Sequence, residues 1–82
     1  MKIKFFRRRV HDDHRVTLGV TTQCVVYDEN GLVLCDATIH LHPSDRDDRR
    51  VARKISLTQA LSLVDDKQLR SAVWDQFWRE YA

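Results

Sequence analysis

Glycine and proline are almost missing from this chain: two glycines, Gly19 and Gly31, and one proline, Pro43. So few glycines leave no glycine-rich loop to cradle a phosphate. No run of about 18 apolar residues exists, which excludes a membrane-spanning helix. The opening Met1-Lys2-Ile3-Lys4-Phe5-Phe6-Arg7 has neither a long apolar centre nor a small-residue cleavage site, so it does not read as a secretion signal and the expected location is cytoplasmic. Two cysteines, Cys24 and Cys35, lack redox or zinc spacing. In that compartment they are expected to be reduced and buried. No serine sits in a nucleophile elbow, and carboxylates pair only as neighbours in loops. Nothing here assembles an enzyme.

Charge of one sign is also scarce in the sum, though not in the distribution. The net charge is +2, with 32% charged residues and 43% hydrophobic ones. Basic residues cluster at Lys2, Lys4, Arg7, Arg8 and Arg9, and again at Arg46, Arg49, Arg50, Arg53 and Lys54. Asp12, Asp13, Asp45, Asp47 and Asp48 interrupt these clusters and dilute their field. Eighty-two residues suit one domain over positions 1–82, built from two layers around one core.

The few breakers punctuate the chain clearly. A first strand is expected over about Lys2 to Val10, a loop over His11 to Arg15, and a second strand over Val16 to Tyr27. Asn30-Gly31 reads as a two-residue hairpin turn into a third strand, Leu32 to His42, which Pro43 stops. That turn pairs Val26 with Cys35, Cys24 with Ala37, Thr22 with Ile39 and Val20 with Leu41 on one apolar face. A slip of one residue would bring Asp36 and Thr38 onto that face. Cys24 and Cys35 then lie diagonally, roughly 7–8 Å apart, too far for an unstrained disulfide. The first strand shows the core either Ile3 and Phe5 or Phe6 and Val10, and the pattern leaves both open.

Ser44 or Asp45 could cap a helix running from Asp45 to Val64. Val51 and Ile55 form one apolar stripe on it, and Leu57, Ala60, Leu61 and Val64 another, nearly opposite. Ser56-Leu57-Thr58-Gln59 fits a capping box, so a kink or break near Ser56 is an alternative, as is a short strand through Val51, Arg53 and Ile55. A last helix is expected over Lys67 to Glu80, with Leu69, Val73 and Phe77 flanked by Trp74, Trp78 and Tyr81. The fold class is therefore α+β, a three-stranded antiparallel meander followed by two helices.

His11, His14, His40 and His42 invite a metal reading, with Asp12, Asp13 and Asp45 as oxygen donors. They come from separate elements with no standard ligand spacing, so neither a metal nor any other cofactor is expected. The C-terminal aromatics are more telling. Trp74, Phe77, Trp78 and Tyr81 cannot all enter one small core, and exposed Trp and Tyr are anchors of protein interfaces. Arg49, Arg50, Arg53 and Lys54 form a charged patch that reads either as a solvated helix face with Asp–Arg pairs or as a phosphate contact. Trp74, Trp78, Tyr81, Arg49, Arg50, Arg53 and Lys54 are therefore the expected partner-binding residues. A homodimer through the third strand or the last helix is a further option, because sheet edges invite pairing.

The segment from Ala37 to Leu61 carries His42-Pro43-Ser44-Asp45, then Val51, Arg53, Leu57, Ala60 and Leu61 at set offsets. This resembles short, functionally unassigned proteins of phages and prophages. They end a sheet with Cys or His-Pro-x-Asp and continue into a helix with Gly-Arg and then Ala-Leu-x-Arg-Ala-Leu. The Lys-Ile-Lys-Phe-Phe-Arg-Arg opening is similar too. The chain departs from the pattern at Leu41, Asp47, Ala52 and Gln59. The resemblance implies a viral or prophage setting, acting inside the host cell. The leading expectation is a non-enzymatic accessory protein that binds a host protein, with an anti-CRISPR-like inhibitor of host defence as its concrete form. The alternative is a small nucleic-acid-binding regulator that uses the basic first strand and first helix.

Overall fold

The computed structural model describes residues 1–11, 13–14, 17–41 and 48–81. Three strands, β1 (Lys2–His11), β2 (Thr17–Tyr27) and β3 (Val33–Leu41), precede two helices, α1 (Arg49–Leu61) and α2 (Lys67–Tyr81). The strands form one antiparallel sheet in the order β1-β2-β3, giving the expected α+β meander. No helix among the described residues is long and apolar enough to cross a membrane.

The hairpin between β2 and β3 keeps the anticipated register from Val20↔Leu41 through Val26↔Cys35. Its turn differs. Asp28 donates its N–H to the Leu32 carbonyl at 2.8 Å, so three residues, Glu29, Asn30 and Gly31, make the loop. Gly31 sits at φ +83°, a left-handed conformation that glycine adopts without a Cβ penalty. The Asp28 carboxylate accepts from the N–H groups of Asn30 and Leu32 at 2.8 and 2.9 Å, a local bond that favours this longer turn. The displacement is undone one step later. Tyr27 pairs with Val33 and Val26 with Cys35, so Leu34 is an extra residue in β3. The bulge restores the inward face. Cys24 and Cys35 are both buried free thiols, as the diagonal placement requires.

Pairing of β1 with β2 settles the face left open by the sequence. Ile3 lies opposite Val26, Phe5 opposite Cys24 and Arg7 opposite Thr22. Ile3 and Phe5 therefore face the helices, while Phe6 is exposed on the other side of the sheet. The alternation also sends Arg7 to the helix side.

The first helix starts later than expected. Asp48 caps it, accepting from the N–H groups of Arg50 and Val51, and this satisfies donors that the first turn leaves unpaired. Pro43, Ser44 and Asp45 lie outside the described residues. The helix is continuous through Ser56, a correction to the possible break. Ser56 is buried mid-helix, and its hydroxyl donates to the Arg53 carbonyl, so it needs no cap role. Of the two stripes, Leu57, Ala60 and Leu61 are buried together with Ala52. Val51 and Ile55 are exposed. The small residues Ala52, Ser56 and Ala60 let the helix approach β2 and β3 closely. A bulkier side chain at those positions would hold it away. The helix ends at Leu61, and Val64 follows it as a partly buried residue. Asp66 caps α2 by accepting from Gln68 and Leu69. Val73 and Phe77 then join Ile3, Cys24, Val26, Cys35, Leu57, Ala60 and Leu61 in the core.

Candidate functional site

Helical spacing places Arg50, Arg53 and Lys54 on one flank of α1, and Trp74, Phe77, Trp78 and Tyr81 along one flank of α2. Packing turns these flanks toward each other. An open groove of about 450 Å³ lies between them, lined by Arg50, Arg53, Lys54, Phe77, Trp78 and Tyr81. Next to it, a cleft of about 240 Å³ is lined by Phe5, Arg7, Thr22, Arg49, Ala52 and Arg53. Arg53 lines both, so the two form one surface. The patch on α1 and the aromatic stripe on α2, separate in the sequence, are thus neighbours.

The cations are not simply splayed into water. The Arg53 guanidinium lies 5.1 Å from the centre of the Tyr81 ring and 6.0 Å from that of Phe5. Lys54 Nζ lies 5.1 Å from the Trp78 ring. Both are within cation–π range. Behind them the rings form a continuous cluster. Phe77 touches Phe5 edge-on at 6.0 Å, Trp74 at 5.5 Å and Trp78 at 5.2 Å, and stacks on Tyr81 at 5.5 Å. Trp74 stacks on Trp78 at 6.1 Å. The Tyr81 hydroxyl donates to the Ile3 carbonyl at 3.0 Å, and Gln76 Nε2 donates to the Met1 carbonyl at 2.9 Å. These bonds fix α2 against β1 and so fix the groove wall.

Of the seven residues expected to bind a partner, Arg50, Arg53, Lys54, Trp78 and Tyr81 share the groove. Arg49 lines the adjoining cleft. Trp74 stands behind Trp78 as its stacking neighbour, half-buried. Of the rings that line the groove, Trp78 is left most open, at 47% exposure. Sequence reasoning missed Phe5 and Arg7 as lining residues. Their alternation on β1 was visible, but only the register to β2 says which face they take. Asp45 and Asp47, expected to pair with Arg49 and Arg50, lie outside the described residues.

Electrostatics in and near the groove follow from burial. The Tyr81 phenol is pushed up, first by burial and then by Glu80, while Arg53 pulls it down. Among the described residues, the groove lining holds no carboxylate, thiol or imidazole. Behind it, burial, reinforced by Cys35, pushes the Cys24 thiol up to about 12. Burial, reinforced by Asp36, raises Cys35 as well. Such thiols stay protonated and are poor nucleophiles. Among the described residues, no three His, Cys, Asp or Glu side chains converge as a metal site would need. His42, Asp12 and Asp45 lie outside those residues. The groove presents cations beside aromatic rings, so it can hold a charged, partly apolar ligand. No protein-family model matches the chain, and neither the curated proteins nor the solved structures contain a match.

Proposed function

We propose that this chain is a non-enzymatic binding protein that captures a host protein through the groove between α1 and α2. The observation that carries this reading is Trp78, 47% exposed and flanked by Lys54 and Arg53 over aromatic rings. Tryptophan, tyrosine and arginine, gathered in one depression, are the residue types that dominate interface energies. The phage or prophage setting, and an anti-CRISPR-like block of host defence as its concrete form, rest on the resemblance around His42-Pro43-Ser44-Asp45 and on analogy. A pull-down from bacterial lysate tests the reading. A host protein should be retained by the wild type and lost with Trp78→Ala, while circular dichroism shows that the variant is folded. Retention that Trp78→Ala leaves unchanged would refute it.

A nucleic-acid reading has one observation of its own. Arg7 of the first basic cluster meets Arg49 and Arg53 of the second in one cleft. Phosphate binding of that kind weakens steeply with salt. A gel-shift series with DNA and RNA should then show retardation at about 50 mM salt that fades as salt rises. Its absence at low salt removes this alternative.

A further inference from the structure

Accepting the groove as a binding site, we infer that its occupant is an acidic segment of polypeptide. The carboxylates of that segment meet Arg50, Arg53 and Lys54, and an apolar side chain rests against the part of Trp78 that Lys54 and Trp74 leave exposed. Three cations stand on the α1 wall at spacings of three and four residues, and among the described residues no carboxylate lines the groove. The depression is therefore positive against an apolar floor, where charge-assisted hydrogen bonds are strong. Arg53 and Lys54 are already held over rings. Part of the side-chain ordering that binding demands is therefore already in place. An Arg guanidinium also matches a carboxylate in a two-pronged arrangement.

Two features disfavour a nucleic acid as the occupant. Single strands bind by laying bases on free aromatic faces. Here Tyr81 stacks on Phe77 and lies under Arg53, and its hydroxyl is committed to Ile3. Trp78 stacks on Trp74 and lies under Lys54. A base would have to displace a cation to stack. The charges also do not all lie on one track. Lys2, Lys4 and Arg8 share the face of Phe6, Gln23 and Thr38, opposite the helices, so only the remaining arginines of β1 share the helix side. A phosphate chain in the groove would lose those three cations.

The test uses the intact chain and two labelled probes, a random Glu–Tyr copolypeptide and oligo-dT, followed by fluorescence anisotropy at about 50 mM salt. The double variant Arg50→Gln/Lys54→Gln removes groove charge at exposed positions. Lys2→Gln/Arg8→Gln removes the same charge from the far face of the sheet. The copolypeptide should bind the wild type, weaken about tenfold or more with the groove variant, and hardly change with the far-face variant. Equal weakening by both variants would overturn the inference as non-specific attraction. Tighter, groove-dependent binding of oligo-dT would overturn it in favour of nucleic acid. If neither probe binds but Trp78→Ala still abolishes capture from lysate, the acidic occupant is wrong and the groove stands. If capture is also insensitive to Trp78→Ala, both fall.

Discussion

Replacing Phe77 with alanine would show what holds α2 to the sheet. Phe77 is 2% exposed and is the ring that joins the Phe5–Tyr81 pair to the Trp74–Trp78 pair. Truncating a buried Phe removes its transfer energy and leaves a cavity, a cost of about 3–5 kcal/mol. The loss here belongs near the upper end, because four ring contacts disappear together, and such contacts add about 0.5–1.5 kcal/mol each beyond buried area. An 82-residue chain has about 4–12 kcal/mol of stability in all. With a urea slope of about 1 kcal/mol per molar for a domain this small, the midpoint should fall by about 3 M or more. The variant would then sit at the edge of unfolding without denaturant. Trp78→Ala, half-exposed, should cost about 1 kcal/mol. Urea titration followed by far-UV circular dichroism separates the two. A Phe77→Ala midpoint within about 1 M of the wild type, equivalent to about 1 kcal/mol, would mean that α2 does not dock through this ring.

Gly19→Ala should destabilise by more than about 2 kcal/mol, because Gly19 holds φ +145° and an added Cβ would run into the Leu41 carbonyl oxygen and His40. Thermal melting reads this as a drop of about 10 °C or more, and a change of a few degrees would contradict it. Cys24 stays protonated in the fold up to about 12 but ionises near its ordinary 9.0 when unfolded. Above that lower value the unfolded chain binds fewer protons, so stability is full below it and falls as pH rises through the window. Urea midpoints at about pH 8 and about pH 11 should diverge less in Cys24→Ala than in the wild type, and an unchanged difference would refute the assignment. A double-mutant cycle on Lys54→Gln and Trp78→Ala should show a coupling of about 0.5–1 kcal/mol in stability if the cation rests on the ring as described, and additive costs if it does not.

The part of the fold that could be read in the sequence is the part fixed by alternation. On β2 and β3, Val26, Cys24 and Thr22 face Cys35, Ala37 and Ile39 because any slip would bury Asp36. The turn departs from the two-residue form that Asn30-Gly31 predicts without changing the register. A loop one residue longer than expected is cancelled by the extra Leu34 in β3. Only the inward face constrains a register, and both arrangements satisfy it. The α1 stripes were ambiguous for a different reason. Periodicity weighs Val51 and Ile55 as heavily as Leu57 and Leu61. The choice depends on how closely the helix must approach the sheet, and the small Ala52, Ser56 and Ala60 decide it. For the site, residue types were legible and adjacency was not. Arg53 and Tyr81 are far apart in the chain and meet only because α2 returns along β1.

That adjacency bears on why so charged a helix lies beside so aromatic a one. Arg53 and Lys54 lie across Tyr81 and Trp78, their charged ends 5.1 Å from the ring centres. Long basic side chains shield apolar surface in this way. The two cations thus cover part of an aromatic surface that would otherwise be a bare apolar patch. On the proposed reading, the same contacts would give the groove its selectivity. A neutral apolar partner would have to push two cations off their rings without replacing the attraction. A partner bearing carboxylates can leave the cations on the rings and bind their outward ends. If the groove binds as proposed, the cover and the recognition surface are the same side chains, and removing one charge should uncover a ring and weaken capture together.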